Sequence, residues 1–406
     1  MSQNIAILRT QAIKRMKMKR FLCLLAMLAP LFANAQKVEI PKAEIVYGPW
    51  IQNVTEDSFT VLFTTSTKCL CEVELAPDNG KQWYQEAYPK FYETSSGRRL
   101  YSTFHAIKVT GLQKATSYRY RIVGKPVFDD SSAYALVYGA ERAIGGRHTV
   151  KTLDYSAPTC RFSMVNDMHF DTEKYSKLIG GMDKKKTDFI VLNGDIISFS
   201  NALDTLLKYT FDPIKEYCGD FPVIFARGNH EGRGAEWYKT NAAFPTSSGE
   251  FYYTFRQGPV GFIVLDAGED KPDSDPEYSG QGAYDQYRAE ELEWMKKAIK
   301  EPAFADAPVK VCLMHIPTFD DDDAWYSQHW IAQHFTPVLN EAGVKLMLSG
   351  HHHRYILAKP GEYGNAYTIV ANNNNERIDF EAGLDGKITL KFYDKSGALV
   401  RTLNID

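Results

Sequence analysis

The chain has 406 residues, 44% apolar and 24% charged, which is globular composition with room for more than one domain and excludes wholesale disorder. Its formal charge of −3 excludes a global attraction to nucleic acid or to an anionic membrane. A phosphate-bearing partner must therefore be held by local charge.

A basic segment (Lys14, Arg15, Lys17, Lys19, Arg20) precedes the apolar run 21–32, and Ala33-Asn34-Ala35 offers a small-x-small cleavage site. Pro30 interrupts that run, which falls short of the roughly 20 residues a membrane helix needs. A cleaved signal peptide over 1–35 is the expectation, with a secreted or periplasmic destination and translation starting at Met1, Met16 or Met18. The apolar run lies mostly after Cys23, whereas a lipid-modification site needs it before, so a lipid anchor is disfavoured. No later segment is apolar for long enough to span a bilayer. Cleavage removes six basic and no acidic side chains and moves the balance to −9. Five cysteines remain (Cys69, Cys71, Cys160, Cys218, Cys312), an odd number without zinc-finger spacing, which argues for small buried side chains rather than a disulfide framework.

From 43 to about 153 the chain reads as short strands. Phe59, Val61 and Phe63 alternate with Thr60, Leu62 and Thr64, and the period of two returns over 69–75, 105–109 and 118–122. Such spacing predicts a β-sandwich. Gly48-Pro49-Trp50-Ile51-Gln52-Asn53, followed by Asp57-Ser58-Phe59-Thr60-Val61, resembles the opening of the fibronectin type III-like domain of purple acid phosphatases. Gly111-Leu112, Thr116, Tyr118 and Tyr120 resemble the tyrosine-corner region of such sandwiches.

After Pro158 the rhythm changes. Apolar runs at 162–165, 189–192, 223–226, 262–265, 309–314, 346–348 and 367–371 alternate with helical spacing over 204–217, 284–300 and 329–342. Buried strands between helices predict a layered α/β domain, closed by a hairpin of 388–393 and 398–403.

Polar clusters stand at the carboxyl ends of five of those runs: Asp167-Met168-His169, Gly194-Asp195, Gly228-Asn229-His230-Glu231, His315 and Gly350-His351-His352-His353. Ligands of α/β sheets bind beyond the carboxyl ends of strands, so the five clusters are expected at one site. Imidazole, carboxylate and amide oxygen without thiolate suit zinc, iron or manganese and exclude a structural zinc–cysteine site. Seven candidate ligands exceed the need of one tetrahedral ion, and two ions sharing a bridging carboxylate fit better. Residues i and i+2 of an extended segment share a side, which would bring Asp167 with His169, and His351 with His353, to one place while Met168 and His352 point away. The glycines before Asp195, Asn229 and His351 would let the chain turn off the strand and approach the metals.

The ordered set Asp-x-His, Gly-Asp, Gly-Asn-His-Glu, His and Gly-His-x-His resembles the calcineurin-like metallophosphoesterase superfamily. One such motif carries little; five in order carry the assignment. The resemblance implies domains at 43–154 (the sandwich) and 158–406 (the metallophosphoesterase). It implies that Asp167, His169 and His353 bind one metal, Asn229, His315 and His351 the other, and Asp195 bridges both. His230 would be the catalytic imidazole, protonating the leaving oxygen or stabilising the transition state, and Glu231 would orient a neighbour. The cofactors would be two divalent or trivalent ions (Fe, Zn or Mn), and the partner a small phosphate-ester substrate. Purple acid phosphatases carry a tyrosine ligand three residues after the bridging aspartate and lack the first histidine; here Ser198 and His169 stand at those positions, so purple colour is not expected.

The remaining histidines read as structural, with His329 the nearest candidate to the site. The run 320–323 reads as a solvated loop capping the next helix, 266–282 as either a lid or a surface loop, and 372–375 as a turn. The leading expectation is a secreted phosphomonoesterase that uses hydroxide held between two metals. A phosphodiesterase with the same site, and a catalytically decayed surface binding protein, are the alternatives. A nucleotidase with an added substrate domain is disfavoured, because only about 50 residues follow the last histidine cluster.

Overall fold

Between 58 and 77 the sequence is dense in β-branched and aromatic residues, with neither glycine nor proline before Pro77. The computed structural model, which describes residues 42–406 apart from 86, 87 and 133, makes one strand there where alternation suggested two. The expected signal peptide lies outside the described residues. The main strands of the first part are β1 (Trp50–Gln52), β2 (Ser58–Pro77), β3 (Ser102–Thr110), β4 (Ser117–Asp129) and β5 (Arg142–Lys151). The first third of β2 pairs with β1 and β3; after an irregularity between Thr64 and Cys69 the rest pairs with β4, which pairs with β5. One strand thus serves both layers of a β-sandwich. Alternate residues, among them Phe59, Val61, Phe63, Val73, Leu75, Ile107 and Tyr120, fill its core. The backbone N–H of Gln113 donates to Tyr118 Oη at 2.9 Å, the bond that defines a tyrosine corner. Cys69 and Cys71 are buried free thiols, as are Cys160, Cys218 and Cys312.

The second part contains β6 (Thr159–Val165), β7 (Phe189–Asn193), β8 (Val223–Ala226), β9 (Tyr253–Gln257), β10 (Val260–Leu265), β11 (Val309–Met314), β12 (Leu346–Ser349), β13 (Ile356–Ala358), β14 (Thr368–Ala371), β15 (Glu376–Gly383), β16 (Ile388–Asp394) and β17 (Leu399–Ile405). They form two six-stranded sheets, ordered β8-β7-β6-β15-β16-β17 and β9-β10-β11-β12-β14-β13. Within them β6, β7 and β8 run parallel, as do β10, β11, β12 and β14. The sheets face each other across Phe162, Phe189, Val191, Phe262, Val264, Val311, Leu313, Leu348 and Phe380. Their outer faces are covered by α1 (Thr172–Gly180) and α2 (Leu203–Phe211) on one side and α3 (Tyr284–Ala298) and α4 (Tyr326–Ala342) on the other. The helix expected to reach 217 ends at Phe211 and gives way to a 3-10 turn over Asp212–Ile214, where Pro213 has no N–H to continue the helical ladder. Helix α1 was not anticipated, although Asp171 caps it by accepting from the Lys174 N–H and Tyr175, Leu178 and Ile179 have helical spacing.

The sandwich meets this fold through β1. Trp50 is fully buried, stacks on Phe211 at 4.2 Å and donates from Nε1 to the Ala243 carbonyl at 2.8 Å. Gln52 Nε2 donates to Val223 O at 2.8 Å, and Tyr120 Oη to Gly219 O at 2.7 Å. The Trp50-Ile51-Gln52 motif is thus the docking edge against the start of β8.

Candidate metal centre

Because the parallel strands of both sheets end at the same rim, the five polar clusters meet there. Asp167 and His169 follow β6, Asp195 follows β7, Asn229 and His230 follow β8, His315 follows β11, and His351 and His353 follow β12. Three groups of ligand atoms lie within 4.8 Å of one another: Asp167, His169 and His353; Asp195, His315 and His351; and His169, Asp195 and His230. Asp195 is shared between the second and third groups. His353 Nε2 lies 3.1 Å from Asp167 Oδ1, and His315 Nε2 lies 3.1 Å from Asp195 Oδ2 and 3.7 Å from Asp167 Oδ1.

The local backbone differs from the extended segments expected. Among the described residues, ten non-glycine positions have positive φ, and five of these are Asp167, His169, Asp195, His351 and His353. The chain reverses through left-handed conformations at the strand ends, so the paired side chains converge by sharp turning rather than by strand alternation. Such conformations cost about 1–3 kcal/mol each and persist only where the surroundings enforce them. Two glycines show how tight the rim is. Gly194 has φ 78°, and a side chain there would collide with the His315 ring; a Cβ on Gly228 would collide with the Asp195 carboxylate.

Glu231 does the enforcing around Asp195. Its Oε2 accepts from the N–H groups of Asp195 (2.9 Å) and Gly228 (3.0 Å), and its Oε1 from Ile196 N–H at 2.8 Å. His230 N–H donates to Asp195 Oδ1 at 2.9 Å. Asp167 Oδ2 accepts from Asn166 Nδ2 (2.6 Å) and from the His351 N–H (3.0 Å). His315 Nδ1 donates to Asn193 O at 2.7 Å, leaving Nε2 facing the carboxylates. His169 Nδ1 pairs with Ser198 Oγ at 3.2 Å, so the serine in the tyrosine position steadies a histidine.

The charges are coupled. Burial works against a protonated His315, yet Asp195 and Asp167 outweigh it and raise its pKa to about 10. Burial would likewise raise Asp195, but the His315 ring beside it pulls it below the ordinary carboxylate range. Burial and the charge of His315 push His351 down to about 3, which keeps its ring neutral as a ligand must be. Two buried carboxylates at one rim thus recruit positive charge.

Metal ions fit the atoms left over. Asp167 Oδ1, Asn229 Oδ1 and His315 Nε2 are buried without a hydrogen-bond partner, although carboxylate and imidazole stand within 4 Å. Buried polar atoms are normally paired. Three such atoms from three strand ends carry oxygen and nitrogen donors of the kinds that bind zinc, iron or manganese, so the residues present fit a metal ion.

The structure keeps His352 apart, where its Nε2 meets Gln328 Nε2 at 3.1 Å and its ring packs on Phe319. His329, read as structural, pairs with Asp320 at 2.6 Å. The 320–323 run does not cap α4, whose N-cap residue is Trp325; Asp320 is held by His329, and Tyr363 Oη donates to Asp321. Sequence reasoning missed Asn166, the partner of Asp167, and Arg233, whose Nη1 donates to His230 Nε2 at 3.1 Å while Nε and Nη2 grip Glu269 at 2.7 and 2.8 Å. Arg233 lies three residues after His230, within reach on one turn, which is the signal that could have found it.

Two facing mixed sheets between helices, with histidine and aspartate at the shared strand ends, define a metallophosphoesterase domain. Residues 160–355 match the Calcineurin-like phosphoesterase family. The chain is 26% identical over 290 residues to purple acid phosphatase 15 of Arabidopsis thaliana, covering 62% of this chain and 48% of that protein. It is also 26% identical over 200 residues to the bovine (Bos taurus) serine/threonine-protein phosphatase CPPED1, covering 46% of this chain and 59% of that one. The chain spans about half the length of these curated relatives. Purple acid phosphatase PPD1 from yellow lupin (Lupinus luteus) seeds shares the fold, sandwich included, over 90% of this chain and 74% of its own at TM-score 0.63 and 14% identity. No helix among the described residues is long and apolar enough to cross a membrane.

Proposed function

We propose that the protein is an exported two-metal phosphomonoesterase. The observation that carries this reading is the trio of buried, unpartnered donor atoms on Asp167, Asn229 and His315 at the rim where both sheets end. Asp167, His169 and His353 would hold one ion, Asn229, His315 and His351 the other, and Asp195, which lies close to both His169 and His315, would bridge them. When bound, the two ions supply Lewis acidity that activates water and neutralises the phosphoryl oxygens.

The chain's own residues do the rest. Glu231 fixes the backbone of the Gly194-Asp195 turn and of Gly228, and the His230 N–H holds Asp195 Oδ1, so the carboxylate that would bridge the ions keeps its direction. His230 donates from Nδ1 to the Ser198 carbonyl at 3.0 Å, which sets the tautomer and leaves Nε2, 4.0 Å from Asp195 Oδ2, toward the site. In this arrangement Nε2 accepts from Arg233 Nη1; protonated there, with that contact released, the ring would pass the Nε2 proton to the departing alkoxide and return to its Nδ1–H form. Ester and water become alcohol and phosphate without a covalent phospho-enzyme. Export rests on the leader-like residues 1–35.

The test is hydrolysis of an aryl phosphate by purified protein loaded with manganese, zinc or iron, beside an Asp195→Asn variant. Metal-dependent turnover that the variant loses supports the reading. Turnover that survives the substitution overturns it.

A further inference from the structure

Beside the metal rim lies a cavity of about 730 Å³, within the size range of small-molecule sites. One wall follows His230 directly and supplies Arg233, Trp237 and Tyr238; another is the 266–282 region, expected as either a lid or a surface loop, which supplies Tyr278 and leads into Tyr284 at the start of α3; Arg227, Glu250 and Phe251 also line the cavity. Arg233 is the shared wall. It lines the cavity while its Nη1 donates to His230 Nε2 at 3.1 Å, so the cavity begins one side chain from the imidazole that faces the leaving group.

The lining chemistry is specific. Trp237 and Tyr238 are 43% and 59% exposed and meet edge to face at 6.4 Å, and Tyr278 and Tyr284 stand edge to face at 5.5 Å on the opposite segment. The two arginines that line the cavity are both committed to carboxylates: Arg227 to Asp266 at 2.7 Å, and Arg233 to Glu269 through two bonds. Glu277 is paired with Lys271. A second phosphate or carboxylate on the substrate would find no uncommitted arginine among these groups. A neutral planar ring would find aromatic surface from two sides, on which such rings stack irrespective of their substituents.

We propose that this cavity is the alcohol-side subsite of the enzyme and takes the planar aromatic ring of a phosphomonoester, with Trp237, Tyr238 and Tyr284 as its specificity-determining residues. The proposal rests on the phosphomonoesterase reading only in placing phosphate at the rim; the ring-binding property belongs to the cavity itself. Arg233 then positions His230 against the ester oxygen and closes the cavity toward the metals.

Two measurements on the full chain test this. In the first, metal-loaded wild type, Trp237→Ala and Trp237→Phe are assayed with 4-nitrophenyl phosphate, adenosine 5′-monophosphate, glucose 6-phosphate and glycerol 2-phosphate. The expected result is a preference for 4-nitrophenyl phosphate and adenosine 5′-monophosphate, the two esters that carry an aromatic ring. The ratio of their kcat/KM to that of glycerol 2-phosphate should fall on the order of 10-fold in Trp237→Ala, mainly through KM, and recover in Trp237→Phe. In the second, adenosine and 4-nitrophenol, the products without phosphate, are titrated calorimetrically into protein with no added metal. Saturable heat that Trp237→Ala loses supports the subsite. Matching thermal melts of the variants show that folding is intact.

A ratio unmoved by Trp237→Ala together with absent heat, while esters are turned over, overturns the subsite and leaves the phosphoesterase reading standing. Preference for glucose 6-phosphate overturns it in favour of a sugar-binding cavity. Saturable, Trp237-dependent heat without turnover of any ester supports the subsite and overturns the phosphoesterase reading.

Discussion

At the seam where the sandwich docks, Trp50 Nε1, Gln52 Nε2 and Tyr120 Oη each donate to a backbone carbonyl at 2.7–2.8 Å. At the metal rim, Asp167 Oδ1, Asn229 Oδ1 and His315 Nε2 are as deeply buried and have no hydrogen-bond partner. A donor sealed to a carbonyl is finished on folding and contributes to stability. A ligand atom left without a hydrogen bond, as at this rim of carboxylates and imidazoles, is open to a ligand that arrives later. The seam therefore holds the molecule together, while the rim concentrates charge and left-handed backbone that a bound cation would offset.

That difference can be broken from either side. The largest effect is expected at the rim, where Asp195→Asn should lower turnover by at least about 10³-fold, measured with an aryl phosphate at saturating metal. The circular dichroism spectrum should stay that of the folded protein. Trp50→Ala should do the reverse, costing about 3–5 kcal/mol in urea denaturation by emptying the space against Phe211 and stranding the Ala243 carbonyl, with metal content per folded molecule retained. Third, chelation should lower the thermal midpoint, because ions at 100 times their dissociation constant contribute about 2.7 kcal/mol per site to the folded state. Calorimetry with and without chelator reads that shift, which should vanish in Asp195→Asn if the carboxylate is shared by both ions. The smallest effect belongs to His352→Ala. Loss of its contact with Gln328 should cost about 1 kcal/mol or less, and metal stoichiometry by elemental analysis should not change. A loss of metal there would show that the middle histidine of the cluster is a ligand after all.

Much of this site was legible before any coordinates, for a physical reason. Parallel strands put their carboxyl ends on one edge, so polar residues that end successive apolar runs must be neighbours, and Asp167, Asp195, Asn229, His315 and His351 follow that rule. The geometry that completes the convergence was not legible. Alternation along an extended segment was the wrong mechanism for the Asp167–His169 and His351–His353 pairs, because left-handed φ at non-glycine residues has no reliable sequence mark. Ser198 as the partner of His169, and Arg233 as the link between His230 and Glu269, depend on loops meeting in space. The sandwich was read from its period of two, but the passage of β2 through both layers was hidden because the alternation breaks between Thr64 and Cys69, where the register also shifts. Helix α1 was a plain omission, since its cap and apolar spacing are both present.

Each proposed ion draws on both sheets. Asp167 and His169 leave β6 in one, and their companion His353 leaves β12 in the other; Asn229 belongs to the first sheet, and His315 and His351 to the second. A chain in which only one sheet has formed presents half a coordination sphere, too few donors to compete with solvent for the metal. Tight metal uptake would thus act as a final inspection of assembly, passed only by molecules in which both halves have come together.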